Sequence, residues 1–119
     1  MENDRAGKDF GFRDQANTAA NSACRNIAEG FWRYQHKEFA QFVNIARGSL
    51  GELLDSADEA LQKRYVSLED HRSLNALIER AIQAAAGLHT HLRRTSAPPR
   101  PHDADGERPI RKGHAAPQS

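Results

Sequence analysis

Between residues 13 and 94 the apolar positions recur every three to four residues in three successive runs, and no proline interrupts them. That is the spacing of one buried face on an α-helix. The first run, about 13–35, aligns Ala16, Ala20, Ala23, Ile27, Phe31 and Tyr34. The second, about 37–63, carries Phe39, Phe42, Val43, Ala46, Leu50, Leu53, Leu54, Ala57 and Leu61. A third starts at Ser67, whose hydroxyl is placed to cap it with Asp70 three residues on, and runs through Leu74, Leu77, Ile78, Ala81, Ile82, Ala85, Leu88 and Leu92. Polar residues fill the other positions, so each helix is amphipathic rather than wholly buried. The pattern predicts an all-α antiparallel helical bundle over residues 13–94.

Outside that stretch the pattern stops. Residues 1–12 read as a flexible N-terminal segment. All five prolines fall after residue 95, in a stretch whose only large aliphatic residue is Ile110. Too little apolar surface is available there to offset the entropy of ordering, so residues 95–119 read as a disordered Pro-rich tail.

The short connection near residues 35–37 makes the first two helices an antiparallel hairpin. At 100° per residue Asn26, Glu29, Gly30 and Arg33 form a stripe beside the apolar face, bordered by Ala19 and Ala23. A glycine inside a helix costs about 1 kcal/mol relative to Ala, so Gly30 signals the close approach of another backbone. Glu29 has two candidate partners, Arg47 across the hairpin and Arg33 one turn on. The stretch NIARGSLGEL, residues 44–53, has the same character. Gly48, Ser49 and Gly51 weaken an isolated helix and call for close contact with a neighbour. Ile45, Ser49 and Glu52 lie on a flank beside the core, which suggests a second contact surface for another helix or subunit.

Composition removes most kinds of chemistry. No Glu has a His three residues later, as a di-metal bundle needs. His89 and His91 fall on nearly opposite sides of their helix, and Glu52, Asp55, Asp58 and Glu59 spread around theirs as a solvated face. Cys24 sits mid-helix among alanines, where a thiol is an inert packing group. No glycine-rich phosphate loop is present. The expectation is a protein that is not an enzyme and has no metal, cofactor or small-molecule substrate. A single cysteine favours a reducing compartment, and the chain has neither a membrane-spanning run nor a signal-like start, so a cytoplasmic location is expected. Net charge is only +1, with small basic clusters at Arg33, His36 and Lys37 and at Arg93 and Arg94. These read as solvated helix ends.

The segments QANTAANSACRNIAEGFWR, EFAQFVNIARGSLGEL and YVSLED resemble the 23S ribosomal RNA intervening-sequence protein family, and accessory proteins of diversity-generating retroelements are similar too. The likeness runs from about Phe12 to Leu92 and is most specific in Asn26 to Gly30 and Ala46 to Leu53. It implies a four-helix-bundle scaffold or adaptor without catalysis, a homo-oligomer such as a ring of five subunits, and, in some members, contact with RNA or a reverse transcriptase. Under this resemblance Asn26, Glu29, Gly30, Arg47, Gly48, Ser49 and Glu52 form the structural motif, and Arg25, Arg33, His36 and Lys37 are the candidate RNA contacts. Three helices of the four-helix pattern are expected, because the family's preceding long helix has no counterpart here. The family's Ser or Thr at the turn matching Gln35 and its Gly near Arg64 are also replaced, so both turns are expected to fray. A protein-interaction module without nucleic-acid binding is the competing expectation, favoured by the near-neutral charge.

Overall fold

The three apolar runs become three long helices in the computed structural model, which describes residues 4–97. A short α1 (Asp4–Lys8) precedes α2 (Phe10–Phe31), α3 (His36–Gln62) and α4 (Leu68–Arg94). Within the segment read as flexible, residues 4–8 form α1 and residues 10–12 open α2. Most of the expected disordered tail, from residue 98 onward, lies outside the described residues.

Side-chain chemistry marks the helix starts. The Phe12 N–H donates to Asp9 Oδ1 at 3.1 Å and the Asp70 N–H to Ser67 Oγ at 3.0 Å, so Asp9 and Ser67 cap α2 and α4. Gln35 gives α3 no such cap. At the other end of α3 the Tyr65 N–H donates to the Ala60 carbonyl at 2.8 Å and the Arg64 N–H to that of Leu61 at 3.0 Å. This is a Schellman closure, and it holds Arg64 at φ 62°, the left-handed region that favours glycine. The turn therefore closes without the family's glycine. Replacing Arg64 by Gly relieves the strained backbone, and Arg64→Gly is expected to raise stability by about 0.5–1 kcal/mol in thermal denaturation.

α3 lies between α2 and α4, which pack against its two sides and hardly touch each other. Against α4 it buries Ala40 and Val43 with Ala85 and Leu92, and Phe39 and Leu88 close over them. Against α3, α2 buries Ala19, Ala23 and Gly30. The apolar face expected to be buried is thus displaced: Ile27 remains 37% and Phe31 68% exposed. Two helices approach most closely where both present small side chains, so α2 turns its small-residue stripe, not its widest apolar face, toward α3.

This rotation leaves one side of the array open. The Phe31 ring lies 6.4 Å from Phe39, Leu88 packs against the same buried cluster as Phe39, and helical phase assigns these flanks of α2 and α4 to one side of α3. Helical phase adds Ile27 on α2, the half-buried Leu50, Leu53 and Leu54 on α3, and Leu74 and Leu77 on α4, of which Leu77 is 59% exposed. Among the described residues nothing covers that face.

A polar latch joins the start of α2 to the α3–α4 turn. The Tyr65 hydroxyl and the Lys63 ammonium both donate to Asp9 Oδ2, and Lys63 also pairs with Glu59 at 2.7 Å. Arg5 donates to the Lys63 carbonyl at 2.9 Å and the Arg64 carbonyl at 3.3 Å, satisfying acceptors at the end of α3. The Tyr65 hydroxyl, then the Phe12 N–H and Lys63, hold the Asp9 carboxyl at about 2, below its ordinary 3.8. Glu59 and then Asp9 hold the Lys63 ammonium above its usual range, and Asp9 raises the Tyr65 phenol. A carboxyl depressed on folding stabilises the fold above its unfolded value and loses that effect as pH falls through its folded value. The difference in melting temperature between the parent and Asp9→Asn is therefore expected to shrink as pH is lowered from about 4 to about 2.

Candidate functional site

The motif residues of α2 and α3 separate into a buried seam and an outward face. Asn26 Nδ2 donates to the Ser22 carbonyl at 2.8 Å and to Ser22 Oγ at 3.2 Å, and the Ser22 and buried Ser49 hydroxyls share a hydrogen bond of 2.7 Å across the helices. Ser49 therefore belongs to the seam and not to an uncovered flank. Gly30 is a point of close approach: a Cβ built there would lie 2.7 Å from Phe39 Cδ1 and 2.8 Å from Phe42 Cβ.

Of the two partners considered for Glu29, the structure selects Arg33, at 2.8 Å, and Arg33 also stacks over Phe42 at 5.1 Å. The bridge from Glu29 to Arg47 is not formed. Arg47 Nη1 instead donates to Asn44 Oδ1 at 3.1 Å on its own helix, while its Nε is buried without a protein partner. The close contacts expected at Gly48 and Gly51 are absent, since a Cβ at either meets nothing within 4 Å. Gly48 and Glu52 are exposed, as is Ile45, at 52%. Cys24 is exposed too, which corrects its reading as a packing group.

Of the four candidate RNA contacts, only His36 and Lys37 line a common cavity. Arg25 is exposed on α2, and Arg33 is half-buried and engaged with Glu29 and Phe42. His36 and Lys37 open α3 at the far end of the array, where they meet the end of α4. There His36 Nδ1 lies 2.9 Å from Thr95 Oγ1, and the His36 and His91 rings are 6.3 Å apart. His36, Lys37, Gln41, Asn44, His89 and Arg93 are among the residues lining a half-open cavity of about 470 Å³. His89, expected to be solvated, and Arg93, expected to cluster only with Arg94, thus share one cavity with His36 and Lys37. The four-residue spacing of His89 and Arg93, which puts both on one face of α4, was the available signal.

Among the described residues no group of three or more His, Cys, Asp or Glu side chains is gathered as a metal site requires. No described helix is long and apolar enough to cross a membrane. A protein-family model, 23S rRNA-intervening sequence protein, matches residues 2–87. No curated protein and no solved structure matches the chain.

Proposed function

The chain belongs to the 23S rRNA-intervening sequence protein family, and from that premise we propose a non-enzymatic scaffold or adaptor that self-assembles and engages RNA or a ribonucleoprotein. The observation that carries self-assembly is the open apolar face formed by Ile27 and Phe31 on α2 and Leu74 and Leu77 on α4. An exposed apolar face of that kind marks an interaction surface. Packing a second copy there removes it from water and completes the bundle.

The RNA role draws on family membership and on the exposed Arg25 and Lys37. With a net charge of +1 a single copy neutralises few phosphates, so affinity depends on repeating these weak contacts around an assembly. The lone Cys24 suits a reducing, cytoplasmic setting. Near-neutral charge favours one other reading, a protein-interaction module without nucleic acid.

Retention of a structured RNA by the full chain at ~50 mM salt separates the two readings. The adaptor reading expects binding that weakens steeply with salt and is lost in Arg25→Glu/Lys37→Glu. No retention at low salt sinks the RNA role and leaves the protein-interaction module.

A further inference from the structure

We propose that the cavity between the start of α3 and the end of α4 is a binding site for a phosphoryl group carried by a nucleotide. This deepens the RNA reading and rests on it only where the phosphate belongs to RNA.

The cavity joins two segments far apart in sequence, Gln35 to Asn44 and His89 to Ala97. Its lining includes Lys37, Arg93, His36 and His89 and no Asp or Glu. Among the described residues neither Lys37 nor Arg93 has an ion-pair partner, so both cations are available to an anion. Gln41, Asn44 and Ser96 add neutral hydrogen-bond donors.

One histidine is already oriented. The Thr95 hydroxyl donates to the His91 carbonyl at 2.8 Å, so the 2.9 Å contact between His36 and Thr95 Oγ1 is donated by His36 Nδ1–H. Nε2 is then the ring atom left for a ligand: in the neutral ring it accepts, from a protonated phosphate oxygen, and in the imidazolium it donates to an ionised one.

The donor set selects the anion. Two full cations and several amide and hydroxyl groups exceed what the two oxygens of a carboxylate can accept, and they suit the three terminal oxygens of a phosphomonoester. Size selects its carrier. A cavity of about 470 Å³ is far larger than a phosphate ion needs and lies within the ~300–1,000 Å³ of small-molecule sites.

Calorimetric titration of the full chain with AMP, adenosine and inorganic phosphate tests the site. AMP is expected to bind, adenosine to bind at least tenfold more weakly, and phosphate to compete. His89→Ala/Arg93→Ala should weaken AMP at least tenfold. Gln41→Glu, which places a carboxylate in the lining at an exposed position with almost no change of size, should do the same while leaving helicity unchanged. Equal binding of AMP and adenosine, or AMP binding unaffected by Gln41→Glu, overturns the proposal.

A single-stranded RNA ending in a 5′-phosphate, compared with the same RNA ending in a 5′-hydroxyl, distinguishes the sources. Tenfold preference for the phosphorylated end assigns the site to RNA termini, and AMP binding without that preference assigns it to free nucleotides. RNA retention with no AMP binding defeats this inference and leaves the RNA role intact. AMP binding without RNA retention does the reverse.

Discussion

Gly30→Ala is expected to lower the stability of this protein even though it improves intrinsic helix propensity by about 1 kcal/mol. The new methyl would sit 2.7 Å from Phe39 Cδ1 and 2.8 Å from Phe42 Cβ. A Phe ring can swing away, but the Cβ of Phe42 is fixed to the α3 backbone. The helices must therefore separate, which loosens the Ser22–Ser49 bond and the Arg33 stack on Phe42. Overpacking of this kind costs about 1–3 kcal/mol, and Gly30→Leu, with a branched side chain and no space for it, should reach or exceed the upper end. Gly48→Ala is the control, because a Cβ there meets nothing and the propensity gain should appear as added stability of up to about 1 kcal/mol. Denaturant unfolding measures all three variants. If the two Gly→Ala changes shift the midpoint in the same direction, the close approach at Gly30 is not what shapes the seam.

Phe31→Glu/Leu77→Glu is expected to abolish the proposed self-association without unfolding the protein. Both side chains are already more than half exposed in the single chain, at 68% and 59%, so their loss removes little of the monomer's packing. In an assembly that covers the open face, each would contribute about 1.5–3 kcal/mol when fully buried, and an unpaired carboxylate in its place adds a desolvation cost. Loss of about 2.7 kcal/mol already corresponds to a hundredfold weaker dissociation constant. Light scattering at low micromolar concentration, with circular dichroism as the check on folding, reads the outcome. A parent protein that is itself monomeric contradicts the proposed self-assembly, and a variant that keeps the parent's mass moves the interface elsewhere, with the exposed Ile45 and Gly48 side of α3 next to be tried.

Several features were legible from residue types because they depend on neighbours close in sequence. The period of the apolar runs marked three helices, Ser67 with Asp70 marked the start of α4, and Gln35 was recognised as a poor cap. Gly30 was legible for a different reason: inside a helix glycine has a cost that only a close contact offsets, and that contact is present. The same reasoning failed at Gly48 and Gly51, where the single chain leaves open space. Glycine reports that a close approach is permitted, not that one occurs.

Helical periodicity and local capping were enough to establish the helices, because hydrogen bonds within four residues and side-chain caps decide them. The rotation of α2, the open face, the latch of Asp9 with Tyr65 and Lys63, and the cavity uniting Lys37 with Arg93 belong to the tertiary structure alone. Each joins residues more than fifty positions apart, or turns on which of two adjoining helix faces packs more closely. An amphipathic pattern specifies that a face is buried, but the depth of approach between two backbones selects the face, and here the small side chains of α2 prevailed over its larger ones.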